Sequence, residues 1–337
     1  MSKLSFLDKF DKNAEKMDGV SNESVPPTFF FDSGSAVINK IISGGYNLGY
    51  PQGRLTMIAG PSNAGKSFLI ANAIKKAQDK GYGVLAIDSE NALDSVYLQK
   101  LGIDTDSPLI NYKGVSTIAD TKKILADFFK LYKSAPKEEQ IPFLLTIDSL
   151  DELRTVAQAE KDEKGETHKD MGLKAKELSE LLSMVMHNVS GLPMAGLASK
   201  QPYANQDGYT NKQNPWVITP KLRFAFTQIL LVTNRLLKDR NTNKYEGIHL
   251  QVYGEKTRLT KPFQKCIVEV PYETGMDWYS GVLDAAEAVG VVTRKGAWYT
   301  FGETKFQRKT FDDHKDEIFK ALVQSEDKSI VYEVPEE

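Results

Sequence analysis

Gly60-Pro61-Ser62-Asn63-Ala64-Gly65-Lys66-Ser67 fits the pattern G-x-x-x-x-G-K-[ST], and the fold can be read outward from it. The apolar run Leu55–Ala59 comes just before it, and Ser67–Ala77 has a helical composition. The octet therefore joins a buried strand to a helix. Its glycines let the backbone wrap an anion with no Cβ in the way. The loop amides and the helix N-terminus face that anion. The expectation is a site for ATP, with Lys66 neutralising the β- and γ-phosphates and the Ser67 hydroxyl holding Mg2+.

Further along, Val84–Asp88, Phe143–Ile147, Met194–Ala198 and Gln228–Val232 are short apolar runs of strand length. Between them, Thr117–Tyr132 carries Ile118, Leu125, Phe128 and Tyr132 at helical spacing. Leu173–Val189 carries Leu178, Leu181, Leu182, Val185 and Met186 on one side, and Gly34–Ile42 reads as a helix ending at Gly44-Gly45. Strands alternating with helices predict an α/β fold, with a mostly parallel central sheet covered by helices on both faces.

Phe143–Ile147 runs into Asp148, and an acid at the tip of a buried strand can bind magnesium through water. Val84–Asp88 runs into Ser89-Glu90, where a glutamate can polarise an attacking water. Composition alone favours reading Glu90 as a surface carboxylate.

Two stretches, Ala159–Asp170 and Gln201–Pro220, show no periodicity, and loops of that length are functional or disordered. The chain divides into an arm, 1–27, with Leu4, Phe6, Leu7 and Phe10 as its apolar anchors, and a core, 28–275. The remainder, 276–337, reads as the end of the core and a small helical segment with an acidic tail.

The net charge of −2 and pI near 6.2 exclude a uniformly basic molecule but leave room for a local basic strip. With Cys266 as the one cysteine, no intramolecular disulfide can form, which favours a reducing compartment. No apolar run approaches the ~20 residues of a membrane-spanning helix, and Met1–Asp18 lacks a signal-peptide core. A cytoplasmic protein is expected.

Ile87-Asp-Ser-Glu-Asn-Ala-Leu-Asp-Ser-Val-Tyr97 and its continuation Lys100-Leu-Gly-Ile-Asp104 resemble the RecA family of recombinases. So do Phe31-Asp-Ser-Gly-Ser, Asp170-Met-Gly-Leu173, Glu255-Lys-Thr-Arg258 with Pro262-Phe263, and Gly296-Ala-Trp-Tyr299, in order along the chain. The Lys-x-Arg version and Trp278-Tyr-Ser-Gly281 look closest to phage UvsX-type recombinases.

The resemblance implies a DNA-dependent ATPase that forms filaments on single-stranded DNA, with ATP between protomers, and pairs it with homologous duplex. Single-strand-binding and loader proteins are implied partners. Glu90 would activate water, Asp94 and Tyr97 would border the adenine, and Lys256 and Arg258 would reach a neighbouring subunit's ATP. A first DNA-facing loop would carry Lys161, Lys164 and Lys169. A second would carry Lys200, Tyr203, Tyr209, Lys212 and Trp216, cations for phosphates and rings for bases.

The family places a Gln or His at the strand tip that couples γ-phosphate to DNA. Here the tip reads Ala198-Ser199-Lys200-Gln201, with Ser199 or Gln201 as the candidate. The second loop also lacks the family's glycine-rich run. A RecA-fold hexameric helicase or recombination-mediator paralogue would share the P-loop and the strand-tip acid.

Overall fold

Apolar side chains alternate between two helix layers along the buried strands, as the twofold strand period requires. In β3 (Leu55–Ala59), Leu55, Met57 and Ala59 point to one layer and Ile58 to the other. In β4 (Gly83–Asp88), Leu85 and Ile87 oppose Val84 and Ala86, and in β6 (Phe143–Asp148), Leu145 and Ile147 oppose Leu144. Strands buried on both faces are what a parallel sheet needs.

The computed structural model describes residues 5–14, 26–166, 171–204, 216–238 and 243–326. The remaining sheet strands are β5 (Ile110–Gly114), β7 (Met194–Lys200), β10 (Gln228–Lys238), β11 (Tyr245–Lys256) and β12 (Lys265–Pro271). The eight-stranded order is β12-β11-β10-β3-β7-β6-β4-β5. From β10 to β5 every pairing is parallel, and β11 is antiparallel to both of its neighbours. The expected α/β sheet is therefore present, extended at one side by a long hairpin.

One helix layer holds α2 (Ala36–Ser43), α3 (Lys66–Asp79), α9 (Val282–Ala288) and α10 (Lys315–Gln324). The other holds α5 (Ile118–Ser134), α7 (Met171–Val189) and α8 (Pro220–Ala225). The short helices α4 (Ser95–Lys100) and α6 (Val156–Glu163) lie in connections, and α1 (Ser5–Ala14) lies in the expected arm. Paired dipeptides complete the small elements: β1 (Phe30–Phe31) with β2 (Tyr50–Pro51), and β8 (Tyr203–Ala204) with β9 (Trp216–Val217).

Caps set several helix boundaries. Thr117 accepts the Asp120 N–H at 3.0 Å to start α5, and Gly44 ends α2 at a φ of 92° with its N–H on Lys40 O.

Three expectations change. Met186, placed on the apolar side of α7, is 42% exposed, and Val189 is buried instead. At 3.6 residues per turn Met186 lies about 80° around the helix from Leu178, whereas Val189 lies about 20° away. Ala159–Asp170 is not a loop from its start, because Thr155 and Gln158 form a capping box that begins α6 at Val156. The segment after Tyr279 is not simply helical. It holds a three-stranded antiparallel meander, β13 (Thr293–Lys295), β14 (Trp298–Phe301) and β15 (Thr304–Gln307). Gly296 and Gly302, at φ of 63° and 57°, make its turns. Tyr299 and Phe306 from the meander join the same apolar layer as α2 and α3.

Candidate nucleotide site

The phosphate loop leaves the end of β3, and the ends of β7, β6 and β4 lie beside it at the carboxyl edge of the sheet, where open α/β sheets bind ligands. At Gly60 an added Cβ would stand 2.3 Å from the Val232 carbonyl oxygen, so only glycine fits against β10. Asn63 and Gly65 take left-handed φ values of 60° and 99°, and Lys66 opens α3. Ala64 is buried, while Ser62 and Asn63 are exposed at the tip and Pro61 is half-buried. Asn234 on β10 donates to the Asn63 carbonyl at 2.5 Å and holds the tip from the side. Lys66 Nζ donates to Pro61 O at 2.9 Å, and burial lowers its pKa against the opposing charges of Glu90, Asp148 and Asp151.

Strand pairing sets the acids side by side. Asp88 is in register with Asp148, and Ile147 with Ala198, so Asp88 and Asp148 end two adjacent strands and Ser199 lies one residue before the end of the third. Asp148 is 1% exposed. Its Oδ1 accepts the Ser199 hydroxyl, the Ser67 hydroxyl bonds the same carboxylate, and Oδ2 is buried with no hydrogen-bond partner. Burial raises the Asp148 pKa, the two hydroxyls oppose that, and the charges of Glu90 and Asp88 add to it. A buried oxygen aimed at no partner, with a hydroxyl on the same carboxylate, is a hard-oxygen set that fits Mg2+.

Glu90 is exposed and accepts the Ser149 hydroxyl. Its placement depends on Asp88, which the sequence reading had only as a strand end. Asp88 Oδ1 accepts the Glu90 and Ala92 N–H groups at 2.9 and 3.3 Å. Its Oδ2 accepts the Leu93 N–H and the Tyr112 hydroxyl, each at 2.9 Å. A polar residue ending a buried strand before a tight connection was the one sequence signal for it. Ser89 stitches this connection to β6, donating from N to Asp148 O at 2.8 Å and from Oγ to Ser149 O at 2.7 Å.

Asp94 caps α4, its Oδ1 accepting the Tyr97 N–H at 2.9 Å. One of its oxygens is therefore used locally. Tyr97 is half-buried against the apolar layer, and burial followed by the Asp148 charge pushes its pKa up to about 12.

Lys256 and Arg258 lie at the other side of the sheet. Lys256 pairs with Ile229, which pairs with Met57, so the chain past Lys256 heads toward the start of β3. Leu55 to Gly60 is about 16 Å of strand, and Arg258 lies near the end away from the loop. Lys256 Nζ donates to the Arg223 and Phe226 carbonyls at 2.5 and 2.6 Å, at the C-terminus of α8. Burial lowers its pKa, with help from Arg258 and Arg223. Arg223 also pairs with Glu255, and Arg258 is exposed.

The residues expected to face DNA are placed unevenly. Lys161 lies on α6 and Lys164 just after it, both exposed. Tyr203 and Trp216 lie on β8 and β9, which pair to close the base of the second stretch. Lys169, Tyr209 and Lys212 lie outside the described residues. Lys200 is a correction. It is 3% exposed and ion-paired with Asp151, because it sits in the last turn of the pleat of a strand buried between β3 and β6. Ser199 is spent on Asp148, and the Gln201 N–H donates to Asp151 Oδ2 at 2.5 Å.

A glycine loop that tolerates no Cβ, entering a helix two strands from a buried strand-tip carboxylate, places the chain in the P-loop α/β class. Within that class the RecA N-terminal domain family matches residues 9–277, and the chain belongs to this family. It is 29% identical over 260 residues to Protein RecA of Synechococcus sp. (strain CC9311), covering 75% of this chain and 63% of that one. It is also 29% identical over 293 residues to Protein RecA of Bifidobacterium breve, covering 84% and 66%. The chain thus spans just under two thirds of the length of these relatives. No helix among the described residues is long and apolar enough to cross a membrane.

Proposed function

We propose that this chain is a DNA-dependent ATPase of the RecA family that polymerises on single-stranded DNA and promotes homologous pairing and strand exchange. The observation that carries the reading is the convergence of Ser67, Asp148 and Glu90 at the strand ends beside Gly60–Ser67. The loop amides of Ser62–Ser67 would hold the triphosphate, and Lys66 would exchange its neutral carbonyl partner, Pro61 O, for phosphate oxygens. Ser67 and Asp148 would hold Mg2+, which when bound offsets phosphate charge during transfer. Glu90, fixed by Asp88 and Ser149, would orient water, and Asp94 and Tyr97 would border the base.

Lys256 and Arg258 lie too far along the sheet to serve their own loop, and we assign them to the next protomer's ATP. This makes hydrolysis depend on assembly, as a cation supplied in trans does. Lys161, Lys164 and Lys169 would contact DNA from the first stretch, and Tyr203, Tyr209, Lys212 and Trp216 from the second. Residues 1–27 would serve as a protomer–protomer arm, 28–275 as the ATPase core and 276–337 as its C-terminal extension. The motif 278–281 and the Lys-x-Arg strand support a UvsX-type protein of phage origin, acting in the host cytoplasm with single-strand-binding and loader partners.

Imaging by electron microscopy with a non-hydrolysable ATP analogue and single-stranded DNA tests the reading. Helical filaments are expected, and closed rings would overturn it in favour of a hexameric helicase. Glu90→Gln should bind nucleotide and lose turnover by about 100-fold or more.

A further inference from the structure

Lys256 and Arg258 are separated by Thr257, and the strand end that carries them is held from both helix layers. Lys256 Nζ bonds the Arg223 and Phe226 carbonyls at the end of α8, on one side of the sheet. Thr257 turns to the other side. Its hydroxyl donates to Ile42 O of α2 at 3.4 Å and accepts the Leu259 N–H at 3.3 Å. Successive side chains of extended backbone point to opposite faces, so Lys256 and Thr257 divide between the layers as the chain leaves β11.

The support on the α2 side is firm. Ile38, Ile41 and Ile42 are buried, and Gly44 closes the helix on Lys40 O. The last four carbonyls of a helix lack partners within it, and Thr257 supplies one for Ile42. At Gly254 an added Cβ would stand 2.9 Å from Ile41 Cγ2, so the strand lies directly against the helix before it turns. The Phe263 N–H donates to Gly254 O at 2.7 Å and the Gly254 N–H to Gln264 O at 2.9 Å, which closes residues 255–263 into a loop. Thr257 thus pins that closed loop to a buried helix, between the two cations the loop carries.

We propose that Thr257 is a positioning residue, whose bond to α2 fixes the backbone from which Lys256 and Arg258 reach the neighbouring protomer's ATP. This rests on the assignment of those two cations above. Lysine and arginine have long, rotatable side chains, so the loop backbone sets where their charges fall. A displacement of about 1 Å in a group that stabilises charge during transfer is enough to slow the reaction severely. Thr257 lies at the end of the sheet away from Gly60–Ser67, so its own protomer's nucleotide contacts do not depend on it. The middle residue of Lys256-Thr257-Arg258 is then part of the device, through its hydroxyl.

The test is steady-state ATP hydrolysis with single-stranded DNA on the full chain, with Tm measured alongside. Thr257→Val keeps the shape and loses the hydroxyl. It should lower kcat by about 5- to 10-fold, with the KM for ATP within about twofold and Tm close to wild type. Thr257→Ser, which restores the hydroxyl, should return kcat to within about twofold of wild type. Mixing separates a positioning role from a structural one. Thr257→Val has an intact Glu90 and Glu90→Gln has intact cations, so an equal mixture should reach about a quarter of the wild-type rate, above what the diluted Thr257→Val gives alone. A wild-type kcat in Thr257→Val overturns the proposal, as does a Thr257→Ser no better than Thr257→Val. So does a mixture that shows no such gain while Lys256→Met/Arg258→Met does gain with Glu90→Gln. If that double variant gains nothing either, the assignment of the cations to the next protomer fails, and the positioning role with it. Should Thr257→Val not fold, Thr257→Ala enters the same comparisons.

Discussion

The Ser199 hydroxyl donates to Oδ1 of Asp148, across the boundary between two adjacent strand ends. This bond takes Ser199 out of any direct role toward DNA and leaves Asp148 Oδ2 as the oxygen open to a ligand. It also partly offsets the effect of burial on Asp148, whose pKa stays raised.

A pH dependence follows from that raised pKa. Between the ordinary carboxylate range and the raised value, the folded chain holds a proton that the unfolded chain has released. Stability is therefore lost as pH rises through this window. The slope of Tm against pH should be more negative in wild type than in Asp148→Asn. Mg2+ with nucleotide should flatten the wild-type slope, since the metal favours the ionised form. Differential scanning fluorimetry across acidic to neutral pH reads both effects. Equal slopes in the two proteins would remove Asp148 from the account.

Asp88 should matter nearly as much as Glu90, although it touches no reacting group. Its carboxylate accepts three N–H groups and one hydroxyl. Asp88→Ala should cost about 2–4 kcal/mol, as several buried donors lose their partner together. It should also lower kcat more than it raises the KM for ATP, because Glu90 loses its support. Tyr112→Phe, which removes one of the four bonds, should cost about 1 kcal/mol and leave kcat within about threefold. Urea unfolding and steady-state ATPase assays check the pair.

Asn234 holds the phosphate loop from β10 through the Asn63 carbonyl. Asn234→Ala should raise the KM for ATP by about 5- to 10-fold with little change in kcat, corresponding to one lost hydrogen bond. A kcat effect without a KM effect would contradict a role in loop placement.

The proposed head-to-tail assembly, with ATP between subunits, predicts complementation. Glu90→Gln and the Lys256→Met/Arg258→Met double variant should each be inactive alone. Mixed in equal amounts, they should recover activity at roughly a quarter of the interfaces, where random pairing brings an intact Glu90 against an intact Lys256 and Arg258. No recovery, with mixed filaments visible, would place both groups in one subunit's site.

Lys161 is exposed on α6, so its contribution to DNA binding should be electrostatic. Lys161→Ala should weaken single-stranded DNA binding across sequences and reduce the slope of log affinity against log salt by about 1. An unchanged salt slope would remove it from the interface.

Legibility in the sequence followed the range of the interactions. Gly60–Ser67 and the alternating strands could be read because their signals are local: a glycine pattern, a run of apolar residues, a helical period. Met186 could not be placed by spacing alone, because the width of the buried arc on α7 is set by what packs against it. The meander at 293–307 was hidden for a similar reason. Its strands are three and four residues long, too short for a period to register, and Tyr299 and Phe306 gain their burial from a distant layer.

The sequence by itself determined the class of fold and singled out the phosphate loop, Asp148 and Glu90 as candidates, since each is a residue type at a fixed distance from a strand end. Tertiary structure decided what those residues are attached to. Parallel pairing of β4, β6 and β7 set Asp88, Asp148 and Ser199 side by side. The run of β11 antiparallel to β10 carried Lys256 away from its own loop and onto the carbonyls of α8. Burial between strands turned Lys200 from an expected DNA cation into the partner of Asp151. In each case the deciding contact joins residues far apart in the chain. Charge and hydrogen-bond partners come from neighbours in space, and a linear pattern records neighbours in sequence.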